Sequence, residues 1–117
     1  MLSHTKKHYL KQVVSDFYID KIKYFEADIN YTMLYFQDGT VKRSAYSLKN
    51  FELLLQTNKL FLRIHKSYII NTDHISKVDM NKGKVVMEVN AELPISRRKL
   101  VEFNKSNVFL KLGKKIA

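Results

Sequence analysis

The sequence predicts a mainly β domain carrying one or two short helices. Three observations lead there: from Val13 onward, short apolar stretches rich in Tyr, Phe, Ile and Val alternate with polar residues; an Asp38-Gly39 pair separates two such stretches; and one well-formed helical period, Ser47–Gln56, precedes the C-terminal region. With 117 residues, 45% of them hydrophobic, and only three Gly and one Pro, the chain is sized for one globular domain with its own core.

The elements follow in order. Residues 1–12 are polar and basic and are expected to form a flexible N-terminal segment. Phe17–Glu26 reads as one strand, or as two joined by a bend at Asp20-Lys21. Tyr31–Gln37 and Thr40–Ser44 flank Asp38-Gly39, which supplies the positive φ angles of a tight two-residue turn, so this stretch is a β-hairpin. In Ser47–Gln56, Leu48, Phe51, Leu54 and Leu55 share one helical face; Ser47 suits the N-cap, and Asn58 suits a left-handed residue closing the last turn. Strands are expected at Leu60–Ile64, Tyr68–Ile70, Ile75–Met80 and Lys84–Val89, with a turn at Asn81–Gly83 between the last two. Glu92–Ile95 is a short strand whose Pro94 suits an edge or an end, and Arg97–Asn104 is a short helix capped by Ser96. The domain is bounded at 13–108, which leaves 109–117 as a basic C-terminal tail ending around Lys114 and Lys115.

Charge narrows the partners. The net charge is +10, and it is unevenly placed: residues 1–59 hold nine cations against six acids, residues 60–117 twelve against five. Such a field concentrates polyanions, with nucleic acid ahead of an anionic lipid surface. The absence of cysteine excludes disulfides, zinc-thiolate sites and thiol nucleophiles. No apolar run is long enough to span a membrane and no signal peptide opens the chain, so the cytoplasm is the expected compartment. His4, His8, His65 and His74 do not fall at metal-ligand spacing, and neither a nucleophile elbow nor a Gly-rich phosphate loop is present. Neither catalysis, a cofactor nor a small-molecule substrate is expected.

Two basic turns, each set against an apolar strand, carry the strongest functional signal: Phe61-Leu-Arg-Ile-His-Lys-Ser-Tyr-Ile-Ile-Asn71 and Leu93-Pro-Ile-Ser-Arg-Arg-Lys-Leu100. Together with Tyr24-Phe-Glu-Ala27, Asn30-Tyr31, the Asp38-Gly39 hairpin and Ser47-Leu48, in this order, they resemble the LytTR family, the DNA-binding domain of bacterial response regulators of the LytR, AlgR and AgrA type. The resemblance covers roughly Asp16 to Asn104. It implies about ten short strands in small antiparallel sheets, with loops between strands entering successive major grooves on one side of the duplex and bending it. It further implies promoter sites built as direct repeats, with a second copy on the adjacent half-site.

Carried over by position, the resemblance places Asn30 and Tyr31 in a first groove-approaching loop. His65, Lys66 and Ser67 fall in a second, and Ser96, Arg97 and Arg98 in a third, with Arg98 as the reader of a base edge. Arg43, on the strand after the hairpin turn, joins these candidates. The chemistry agrees: an Arg fork can donate two hydrogen bonds to guanine O6 and N7, whereas Lys66 is a point charge suited to phosphate.

Plainer readings stand beside these. His65 could be a core histidine, and Arg63 a structural ion-pair partner of Glu26 instead of a DNA contact. Ser67 and Ser96 could be turn and cap residues first, and Asn71 suits a bond to its own turn backbone. RNA binding on an exposed aromatic sheet face is the rival nucleic-acid reading, although the alternation of Tyr and Phe with polar residues favours core placement. The chain carries no receiver domain, so it is either a stand-alone regulator or a piece of a longer one. A stand-alone chain would be governed by its abundance or by a partner protein, including a membrane-bound inhibitor.

Overall fold

The computed structural model describes residues 19–116. Among them are eight strands in two antiparallel sheets with a few short helices, the mainly β architecture expected. The expectations placed on residues 1–12, Phe17 and Tyr18 lie outside the described residues.

The first sheet contains β1 (Ile22–Asp28), β2 (Tyr31–Phe36), β3 (Val41–Ser44), β4 (Phe61–His65) and β5 (Tyr68–Asn71) in the order β3-β2-β1-β5-β4. The second contains β6 (Ile75–Asp79), β7 (Lys84–Met87) and β8 (Glu92–Pro94) in sequential order. Helix α1 (Leu48–Leu55) follows β3, and α2 (Arg97–Ser106) and α3 (Val108–Lys111) follow β8.

Both faces of the first sheet are covered at its central strands, which carry apolar residues on both sides, whereas the edge strand β3 leaves Val41, Lys42 and Arg43 exposed. On one face α1 lays Leu48, Phe51 and Leu55 over Phe25, Leu34, Phe61 and Ile69, with the Phe25 and Phe51 rings 5.0 Å apart. On the other, Tyr24, Ile64 and Ile70 share a core with Val78, Val85 and Met87 of the second sheet and with Phe103 and Phe109 of the C-terminal helices. An irregularity in β1 between Ile22 and Tyr24 makes this possible. It breaks the two-residue alternation, so that Ile22 joins the α1 core while Tyr24 joins the opposite one.

Local chemistry explains the caps. Ser47 accepts from the Asn50 N–H at 3.2 Å and Ser96 from the Lys99 N–H at 3.2 Å, each relieving one unpaired donor in the first helical turn. Asn71 holds its own turn by accepting from the Asp73 N–H at 3.0 Å, and its amide also reaches the Ile22 carbonyl at 3.0 Å, which ties β5 to the start of β1.

Three local expectations are corrected. The hairpin turn is one residue longer than a two-residue loop: Gly39 alone has a positive φ, +90°, and Phe36 bonds across to Thr40 around Gln37, Asp38 and Gly39. The Asp38 side chain instead accepts from the Thr40 N–H at 2.8 Å, so one left-handed glycine is enough. Asn58 is not left-handed; its side chain accepts from the Leu60 N–H at 2.9 Å, an Asx turn that leads the chain into β4. Finally, residues 109–116 are no free tail. Phe109 is 2% exposed and packs edge-on against Phe103 at 5.4 Å, the Lys115 carbonyl accepts from the Val78 N–H at 2.8 Å, and Ile116 bridges Val78. A single aromatic anchor outweighs the nearby lysines, whose charged heads stay in solvent while the backbone docks.

Candidate nucleic-acid interface

Strand register gathers the loops at one end of the first sheet. Asp28 pairs with Tyr31 across the β1–β2 turn, Glu26 pairs with Tyr68 at the start of β5, and Thr32 pairs with Ser44 at the end of β3. The β1–β2 turn, the β4–β5 turn and the entry to α1 therefore share that end. The Ala27 N–H donates to the Ser67 carbonyl at 2.8 Å, locking the two turns together. The third loop arrives from the other sheet: the Ser96 N–H donates to the Ile64 carbonyl at 2.9 Å, docking the start of α2 on β4, the edge strand.

That docking creates a groove of about 660 Å³ between α1 and α2, lined by Lys49, Glu52, Arg63, His65, Lys66, Ser96, Arg98 and Lys99. Five of these are Lys or Arg and one is acidic. Among the described residues Lys49, Lys66 and Arg98 have no acidic partner within ion-pair distance, while Lys99 lies 3.4 Å from Glu102 and Arg63 lies 2.9 Å from Glu52. The first turn of α2 holds Arg97, Arg98 and Lys99 and no acid. Cations there oppose the helix dipole, at about 0.3–1 kcal/mol each, a cost that a bound anion would reverse.

Arg63 braces the second loop. Its guanidinium donates to the His65 carbonyl at 2.8 Å, the Lys66 carbonyl at 2.6 Å and Glu52 Oε1 at 2.9 Å. The expected ion pair with Glu26 is absent, because Arg63 points to the α1 face of the sheet and Glu26 to the other. Glu26 instead accepts from the Tyr35 hydroxyl at 2.7 Å and the Tyr68 hydroxyl at 2.8 Å. The Tyr24 and Tyr35 rings stack at 4.4 Å, and Tyr68 stands 5.9 Å from the His65 ring, so this network stiffens the base of the loop. Burial, and then the Glu26 hydrogen bond, push the Tyr68 hydroxyl up to about 12; the Glu26 bond first, then burial, raises Tyr35 too. Both stay protonated donors at neutral pH.

His65 is half-buried and faces the groove. Burial, then the charges of Lys66 and Arg63, lower its pKa from the ordinary 6.5. Its Nδ1 accepts from the Ser67 N–H at 3.1 Å, which leaves the proton of the neutral ring on Nε2, free to donate. Ser67 acts as a turn residue and does not line the groove. Ser96 does both jobs, lining the groove while its hydroxyl caps α2.

The remaining candidates sit apart from the groove wall. Arg97 is exposed beside Arg98. Asn30 and Tyr31 are exposed on the β1–β2 turn at the same sheet end, and the Arg43 guanidinium lies over the Tyr31 ring at 4.6 Å. Lys49 and Lys99 were missed as candidates. Lys99 was visible in the Arg-Arg-Lys run, but Lys49 sits in a helix legible only by its apolar face, and nothing local points it toward residues 63–66.

The model of the LytTr DNA-binding domain family matches residues 14–107. The chain belongs to that family. Among solved structures it is similar to the LytTr DNA-binding domain of a methyl-accepting/DNA response regulator from Bacillus cereus, with 28% identity, a TM-score of 0.65, and coverage of 74% of this chain and 80% of that one. No curated protein sequence matches. The family match makes the chain a DNA-binding domain, and the basic, acid-poor groove at the sheet end is the candidate surface. No helix among the described residues is long and apolar enough to cross a membrane.

Proposed function

We propose that this LytTR domain is a sequence-specific transcription regulator that reads the major grooves of direct-repeat promoter sites through its inter-strand loops and bends the DNA. One observation carries the reading: Arg98, far along the chain from the adjacent His65 and Lys66, lines a single groove with them at the end of a rigid sheet, and the two cations have no acidic partner among the described residues. Arg98 is exposed and is the base reader, as a fork able to engage guanine O6 and N7. His65 offers Nε2–H to an acceptor. Lys66 meets phosphate, and Arg97, Ser96 and Ser67 flank these contacts. Asn30, Tyr31 and Arg43 reach the neighbouring groove from the β1–β2 side.

A second copy occupies the adjacent half-site, and a protein partner or the chain's abundance sets occupancy in the cytoplasm. RNA stacking is disfavoured, since both faces of the first sheet are covered at its central strands and Tyr31 is the one large aromatic side chain exposed among the described residues.

Footprinting on the region upstream of the gene, followed by titration of the protected duplex against single-stranded RNA of equal charge, tests the reading. Two protected segments about one helical turn apart, anomalous mobility of circularly permuted fragments and preference for the duplex are expected. Equal affinity for the RNA, or protection without sequence preference, refutes sequence-specific duplex recognition.

A further inference from the structure

The β1–β2 turn has a residue at its tip that neither stability nor the groove explains. Asp28 pairs with Tyr31, leaving Ile29 and Asn30 as the two central residues. Ile29 has φ +56° and Asn30 does not have a positive φ. A positive φ at the first central position alone is the pattern of a turn that ordinarily places glycine there. For a β-branched side chain the left-handed region is disfavoured roughly tenfold relative to glycine. Burial cannot offset this, because Ile29 is 93% exposed.

The position of the turn supplies a use for the side chain. It is fixed to the β4–β5 turn through the Ala27 N–H and Ser67 carbonyl, so Ile29 projects from the same sheet end as Lys66, beside Asn30 and the Tyr31–Arg43 stack. A polyanion docked on Lys66 and Arg98 lies next to an apolar tip. The major groove has one apolar feature, the 5-methyl group of thymine. A β-branched side chain held at a rigid tip meets it with little rotamer entropy to lose. Val89 makes a natural comparison: it too is left-handed, with φ +67°, and 83% exposed, but its turn lies at the far end of β7 from Ser96.

We propose that Ile29 is a specificity-determining contact that packs on a thymine methyl group in the major groove. This rests on the duplex-binding reading above, and the experiment separates the two. Duplexes are selected from a random pool with the intact chain, and each thymine of the selected site is replaced in turn by deoxyuridine, which removes only the methyl group. At one or more positions the wild type should lose about fourfold in affinity, the worth of one buried methyl. Ile29→Gly should lose about as much on the unmodified site, should be indifferent to uracil at that position, and should unfold no more easily than the wild type. Val89→Gly should keep the full uracil sensitivity. A wild type indifferent to uracil everywhere, or an Ile29→Gly variant that keeps the wild-type sensitivity, overturns the contact while leaving duplex binding intact. Selection that enriches no sequence overturns specific duplex recognition itself, and this contact with it.

Discussion

Replacing Arg63 separates a brace from a DNA contact, the two roles that the sequence left open. The side chain is 19% exposed and makes three charge-assisted hydrogen bonds, to the His65 and Lys66 carbonyls and to Glu52. A hydrogen bond to a charged group contributes about 1.5–3 kcal/mol when buried, whereas an exposed pair contributes ~0–1 kcal/mol. The bond to Lys66 is exposed, those to His65 and Glu52 are partly buried, and Glu52 is 45% exposed, so the low end applies. Arg63→Ala should cost about 2–3 kcal/mol in urea denaturation, a large share of the ~5–15 kcal/mol that holds a domain together. Arg63→Lys should recover little, because one ammonium cannot reach two successive carbonyls and a carboxylate in the geometry of the planar fork. In a duplex titration across salt concentrations, both variants should bind more weakly through a loosened loop. Should Arg63→Lys be as stable as the wild type while Arg63→Ala lowers the salt slope by about one, Arg63 is a phosphate contact and the brace is refuted.

Other perturbations test other links. Arg98→Ala should weaken binding to the selected site by about 1–3 kcal/mol while sparing random duplex, and Lys66→Ala should lower the salt slope by about one on both; equal losses for Arg98→Ala would make it a phosphate contact too. Phe109→Ala should destabilise the fold by about 3–5 kcal/mol, measured by thermal or urea unfolding, whereas unchanged stability would restore the free-tail description of 109–117. Because the fold lowers the pKa of His65 from 6.5, the unfolded chain takes up that proton first. The His65 contribution is thus fully present above pH 6.5 and declines as pH falls from there toward the folded-state pKa. His65→Asn, whose side-chain oxygen can still accept from the Ser67 N–H, should flatten that part of the stability profile, and an identical profile would show that His65 does not titrate differently on folding.

What the sequence determined by itself was whatever neighbours along the chain can settle. Ser47 and Ser96 announce helix starts because a hydroxyl three residues ahead of a free N–H caps it without outside help. Asp38-Gly39 marks a hairpin because glycine alone enters the left-handed region freely, although the loop's exact length depended on the partner strand. Asn71 bonding its own turn is local for the same reason. The order of the basic motifs identified the family before any coordinate did.

Tertiary structure decided the rest. Whether Arg63 faced Glu26 or Glu52 depended on which side of β4 it left, and the irregularity between Arg63 and His65 that shapes that edge is invisible in composition. Lys49 joined the groove only because α1 packs across the sheet, and the fate of residues 109–116 turned on Phe109 finding Phe103 and on a bond from Val78. The meeting of the 63–67 and 96–98 turns is pinned by the backbone bond from Ser96 to Ile64 and by the core that Ile64 shares with Ile95 and Phe103. Contacts of this kind join residues far apart in the chain, and burial in a common core selects them; periodicity and turn chemistry, which act over a few residues, carry no information about them.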